Sequence, residues 1–229
     1  MFDTVKLRQA WHGCLTLSTC RAKLIGVSPA ASPFDVREAL LAAARSELAE
    51  HGRSAISLRA VARRAGVSHA APKHHFGDRA GLLTAIAIEG FQALTQTLQQ
   101  VSHPDPQHQL AALGDAYVDF GLANPALFEL MFQPRELQSS NADLVRAQGE
   151  AIGTLSAAVG QFAEADDASS ATPALALISW ALAHGLAVLA SDGALRTAAG
   201  ADNGDAVDLA HALISLFAQN ITLAQASRD

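Results

Sequence analysis

The sequence predicts an all-α protein, with an N-terminal three-helix unit that contains a helix-turn-helix and a larger helical domain behind it. Three observations carry this. Half of the residues are hydrophobic, and Ala and Leu dominate in runs such as ALLAAARSELA, which favour helix over strand. No stretch alternates β-branched residues as a sheet would require. The segment Ser57 to Arg79, SLRAVARRAGVSHAAPKHHFGDR, reads as two short helices joined by a tight turn at Ala65-Gly66-Val67. Basic residues and histidines crowd its second half, as in helix pairs that enter a DNA groove.

Residues 1–33 show no helical period. They read as a flexible N-terminal extension; an upstream start codon or a basic arm beside the main motif are the alternatives. The first helix is expected from about Ser32, with Pro33 in its first turn and Ser32 or Asp35 as cap. Val36, Leu40, Leu41, Ala44 and Leu48 share one face, and Gly52 supplies the left-handed exit. Ser57 caps the second helix, with Leu58, Val61 and Ala62 inward and Arg59, Arg63 and Arg64 outward. Gly66 turns the chain. Ser68 is expected to cap the third helix. Pro72 then falls in its fourth position, where the missing N–H and the ring favour a tighter opening turn. Asp78 caps a fourth helix running to about Gln100, with Leu82, Leu83, Ile86, Phe91, Leu94 and Leu98 on its apolar face. His103-Pro104-Asp105-Pro106 interrupts the chain. Helices follow at roughly 107–123, 125–133, 141–165, 173–191 and 205–226. The last two are apolar over more than one face, which predicts a homodimer interface formed by two helices from each subunit.

The domain organisation expected is an extension over 1–33, a helix-turn-helix unit over 34–80 and a helical domain over 81–229. Charge divides along the same line. The net charge is −6. Residues 1–33 hold about four Lys/Arg and one acid, residues 34–90 about eight and six, and residues 91–229 about four and fifteen. A polyanionic partner would meet only the front.

Two cysteines, Cys14 and Cys20, suggest neither a zinc site nor a disulfide framework, so a reducing cytoplasm is expected. No apolar run reaches roughly 18 residues without a polar interruption, so no membrane partner is expected. Arg21 and Lys23 break what a signal peptide would need. His74 and His75 are adjacent, so they point about 100° apart on a helix and are not an i, i+4 metal clasp. His12, Cys14 and Cys20 lack a fourth ligand at sensible spacing. No phosphate loop or nucleophile elbow is present. The expectation is no catalytic residue, no metal and no cofactor. In the rear domain, Phe91, Tyr117, Phe120, Phe128, Met131, Phe132, Trp180 and His184 are candidates to line a ligand cavity. Tyr117, Trp180 and His184 are its polar anchors. Aromatics at helical spacing are equally the material of a plain core.

The residues DVREALLAAARSELAEHG, SLRAVARRAGVS and HHFGDRAGLL resemble the TetR (tetracycline-repressor-like) family of transcriptional regulators. AYVDFGLANPALFELMF and WALAHGLAVL resemble the branch with a Trp-His-Gly-type C-terminal domain. The resemblance implies a cytoplasmic homodimer that binds a palindromic double-stranded DNA operator, acts as a repressor, and lets go when an unknown small-molecule effector enters the rear domain. By position it implies that Ser57 and Arg59 touch the DNA backbone and that Ser68, His69, Ala70 and Ala71 open the recognition helix. Lys73, His74 and His75 would face DNA, and Arg79 would hold a phosphate. Lys73 stands where the family usually places Tyr. The alternative is an all-helical small-molecule-binding protein or enzyme in which the front helices are only scaffold.

Overall fold

A computed structural model describes residues 33–164, 172–200 and 205–226. Among these residues all regular structure is helical. The expectations for residues 1–32, including a cap at Ser32, lie outside them.

Local sequence rules account for most boundaries. Helix α1 (Pro33–His51) ends at Gly52, whose φ of 74° is open to glycine at little cost. A short 3-10 turn, Arg53–Ala55, follows. In α2 (Leu58–Arg64) the Ser57 side chain accepts from the Ala60 amide at 3.2 Å, which satisfies one of the four orphan donors of the first turn. Its exit is a Schellman turn. The Val67 amide donates to the Ala62 carbonyl at 3.1 Å and the Gly66 amide to the Arg63 carbonyl at 3.3 Å, with Gly66 at φ 67°.

The third helix departs from expectation. Helix α3 spans Ala71–Phe76, and no side chain caps it. Ser68, His69 and Ala70 form the turn before it rather than its first residues. Proline is the reason. A helix begun at Ser68 would put the Pro72 ring against the Ser68 carbonyl, so the helix starts where Pro72 occupies the first turn. The Ala71 amide bonds the Ser68 carbonyl three residues back at 3.0 Å, the tighter opening that the proline predicts. Pro72 is itself buried.

Helix α4 (Arg79–Gln99) begins at Asp78, whose carboxylate accepts from the Gly81 amide at 2.8 Å. Asp105 caps α5 (Pro106–Ala123) by accepting from the His108 amide at 3.0 Å. Then come α6 (Pro125–Met131), α7 (Ala142–Glu164), α8 (Thr172–Ser191), α9 (Ala194–Ala199) and α10 (Asp205–Ala226). The six-residue α9 has no counterpart among the expected helices. It sits between Gly193 and Gly200, both left-handed, and is too short to show a period.

One hydrophobic core runs from Leu40 of α1 through Leu83 and Ile86 of α4 to Ala210 and Ile214 of α10. Helix α4 packs on α1 and α3 at one end and on α5, α6 and α7 along its length, and α5 lies against α8 and α10. In α8, Ala174–Ser191 is long and apolar enough to cross a membrane by length and composition, although Ser179 and His184 interrupt it. Here that helix packs on α5, α7 and α10.

Candidate nucleic-acid interface and cavity

The head sorts its cations into two groups. One group is engaged with protein. Arg64 donates from Nε to Glu47 and from Nη1 to Glu50, both at 2.7 Å. The hydrogen bonds to Glu50 and Glu47 raise the affinity of this guanidinium for its proton, and Arg64 in turn holds the Glu50 carboxyl below the usual range. So Arg64, expected to point outward, is folded back onto α1. Arg45 pairs with Glu89 and Glu38, and Arg53 with Glu129 and Glu136. Arg37 lies over the Phe76 ring at 5.5 Å, a cation–π contact that closes the end of the small core.

Arg79, for which the resemblance implies a phosphate contact, belongs to the same group. Its Nε donates to the Ile56 carbonyl at 3.0 Å, Nη2 to the Arg53 carbonyl at 2.7 Å and Nη1 to Glu136 at 3.0 Å. A planar fork with several donors suits such a site, because three acceptors in different directions are met at once. Arg79 therefore ties the start of α4 to the turn before α2 and to the segment after α6.

The second group is bare. Arg59, Arg63 and Lys73 are exposed and, among the described residues, have no carboxylate within ion-pair distance. His69 and His74 are exposed beside them, and His75 is half-buried. Ser57, Ser68 and Ala70 are exposed and Ala71 half-buried. Arg63 was not among the site residues singled out from sequence, although its place on the outward face of α2 was legible there.

Behind the head, a cavity of about 270 Å³ opens among α4, α5, α7, α8 and α10. Four of the eight sequence candidates line it, namely Phe91, Tyr117, Phe132 and Trp180. Phe120, Phe128, Met131 and His184 are not among its lining residues. Phe128 is packed into the wall, its ring 5.6 Å from Tyr117 and 5.1 Å from Phe132. Met131 is buried against Gly90, where an added Cβ would meet its sulfur at 2.7 Å. Phe120 is buried in the core. His184 stands behind the lining, its ring 4.4 Å from Phe132.

The polar wall is a short chain. Trp180 Nε1 donates to the Tyr117 hydroxyl at 3.2 Å, and that oxygen lies 3.1 Å from His184 Nδ1. A neutral imidazole with its hydrogen on Nε2 completes the chain, with tyrosine as donor. Burial favours that state by lowering the imidazole's proton affinity, and burial also pushes the Tyr117 phenol up. Aliphatic residues supply much of the remaining lining, including Leu113, Ala151, Ile152 and Ile214. They carried no distinguishing mark in sequence. At Gly114 an added Cβ would meet Ile214 at 2.7 Å, so glycine lets α5 and α10 approach.

A helix-turn-helix with an unpaired basic face, set on a helical body, defines a class of DNA-binding protein. The comparisons agree with that class. A model described as bacterial regulatory proteins, tetR family, matches residues 40–86, and one described as tetracyclin repressor-like, C-terminal domain, matches residues 110–217. A protein with unknown function from Rhodococcus sp. RHA1 is 34% identical, covers 82% of this chain and 96% of its own, and superposes with a TM-score of 0.66. The TetR family transcriptional regulator PfmR from Thermus thermophilus is 21% identical over 79% of this chain and 97% of its own, with a TM-score of 0.56. A putative tetR family transcription regulator from Shewanella sp. PV-4 is 19% identical over 78% and 95%, with a TM-score of 0.58. These last two show likeness of fold. No curated protein matches the chain significantly. The chain belongs to the TetR family and is a DNA-binding transcriptional regulator.

Proposed function

We propose that the protein is a homodimeric repressor of a palindromic operator, released when a small molecule fills the cavity of its body. In this reading residues 34–80 are the DNA-binding head and residues 81–229 hold the effector and the dimer contact. The observation that carries it is the sorting of cations. Arg59, Arg63 and Lys73 lack ion-pair partners among the described residues, while Arg45, Arg53, Arg64 and Arg79 are all paired. A mere scaffold gains nothing from leaving three cations bare on one helix pair, whereas a phosphate backbone supplies their counter-charge. Lys73 contacts the backbone, and His69, Ala70 and Ala71 meet base edges or thymine methyl groups. Arg79 serves by holding the head in place.

The dimer contact uses α8 and α10. Leu177, Ile178, Val188 and Leu189 on α8 and Val207 and Leu216 on α10 are large apolar side chains left exposed, more than scattered surface residues would account for. The same two helices line the cavity through Trp180, Ala183, Ile214 and Phe217, so an occupant presses on the elements that set the spacing of the two heads. A second route runs forward. Phe132 lines the cavity, and four residues later Glu136 receives both Arg53 and Arg79. An effector that favours one arrangement of this segment shifts the head by its differential affinity for the two states.

The test is an anisotropy titration against the DNA upstream of the gene at two salt concentrations. Binding is expected to be sequence-specific and to weaken as salt rises. Lys73→Ala should weaken all sequences alike and reduce the salt slope by about one. Absence of sequence preference at either salt would overturn the proposal.

A further inference from the structure

The cavity identifies its occupant by what its wall offers and what it lacks. None of its lining residues carries a charge. A carboxylate or ammonium placed there would be desolvated with no counter-charge, which is costly at this scale of burial. The Tyr117 hydroxyl already lies between Trp180 and His184. Gln148 is half-exposed and can turn to water. One polar group remains.

That group is Ser179 on α8, which lines the cavity and is 7% exposed. Its Oγ is buried without a hydrogen-bond partner. Among the described residues the only other such side-chain atom is Asp115 Oδ1, which is not in the cavity lining. Among the described residues the other buried helical hydroxyls, Thr84 and Thr95, do not behave that way. Ser46, Thr84, Thr95, Thr97, Thr154 and Thr197 each fold back onto the carbonyl four residues earlier. Back-bonding is the default for a hydroxyl on a helix that has nothing else to do. A buried hydroxyl that forgoes it loses free energy unless another group meets it.

We infer that the cavity binds an uncharged, largely apolar molecule carrying a single hydroxyl or carbonyl, and that Ser179 hydrogen-bonds that group after a turn about χ1 to another staggered well. An engineered cavity of about 150 Å³ holds benzene, so about 270 Å³ holds roughly ten heavy atoms without expansion. The inference rests on the cavity being the effector site and adds the chemical class of the effector. The apolar lining supplies affinity, and the one polar contact sets orientation.

Three probes of matched length separate the possibilities by calorimetric titration of the full chain: 1-octanol, octanoate and octane. Octanol is expected to bind best and octanoate not measurably. Ser179→Ala should weaken octanol roughly three- to tenfold, the worth of one hydrogen bond, and leave octane unchanged. The variant should melt at or above the temperature of the parent, because it removes an unpartnered hydroxyl. Octanoate binding as well as octanol, octanol affinity unmoved by Ser179→Ala, or no binding by any probe would each overturn the inference. A lowered melting temperature would too, since the hydroxyl would then have a partner in the protein. The effector reading is judged separately, by whether bound octanol releases DNA in the anisotropy assay. Octanol bound as expected with DNA affinity unchanged would retain the ligand class and sink the regulatory reading.

Discussion

Replacing Arg79 by alanine separates the two roles that this residue could have. Its guanidinium holds two backbone carbonyls and Glu136 at 2.7–3.0 Å. Hydrogen bonds involving a charged group contribute about 1.5–3 kcal/mol each when well buried. The Arg79 side chain is 39% exposed and that of Glu136 22%, so solvent screening reduces each contribution to about 1 kcal/mol. Arg79→Ala is therefore expected to cost about 2–3 kcal/mol in total. With a urea dependence of about 2–3 kcal/mol per molar, the unfolding midpoint falls by about 1 M with the slope unchanged. Circular dichroism at one fixed protein concentration measures this, since any self-association makes the midpoint move with concentration. Arg79→Lys should lose nearly as much, because an ammonium cannot reach three divergent acceptors. A midpoint shift under about 0.2 M, together with uniformly weakened DNA binding and a salt slope reduced by about one, would refute the bracing role. Arg79 would then be the phosphate ligand that family resemblance implies.

Three further outcomes follow from the geometry. Tyr117→Phe removes the oxygen between Trp180 and His184, leaving a buried donor and a ring nitrogen without their partner, and should cost about 1–3 kcal/mol in thermal unfolding; an unchanged melting temperature would mean that the bonds are not made. Gly81→Ala would place a Cβ 2.0 Å from the Phe76 carbonyl oxygen, so a change that ordinarily gains a helix up to about 1 kcal/mol should destabilise instead, and a stabilised variant would contradict the close approach of α3 and α4. Because burial lowers the proton affinity of His184 in the folded state, the unfolded chain binds more protons just below the ordinary imidazole value of about 6.5. Its contribution is complete above that pH and is lost as pH falls toward the lower folded value. His184→Gln should flatten the stability curve over that window, and parallel curves for parent and variant would exclude the residue as a contributor.

Much of the frame was legible from neighbours in sequence. The caps at Ser57 and Asp78 and the left-handed exits at Gly52 and Gly66 act over three or four residues. Their effects follow from backbone donors that need partners and from φ values that only glycine reaches at little cost. The misplaced start of α3 came from assigning the cap to Ser68 when the proline four residues later governed the start.

Tertiary structure decided which side chains were available. Nothing local distinguishes Arg63, which is bare, from Arg64, which is bound to α1, or says that Arg79 meets Glu136 57 residues away. Such pairings depend on how helices pack, and packing also put His184, Phe128 and Met131 behind the cavity wall while leaving Trp180 and Phe132 on it. Ser179 is the sharpest case. In sequence it is one more serine in an apolar helix, and only the surrounding helices show that its hydroxyl is buried, unpartnered and part of a cavity wall. Helix, cap and turn were determined by the chain's own short-range chemistry. The bare cations and the single unmet hydroxyl were determined by long-range contacts, because whether a polar group is satisfied depends on every element packed around it.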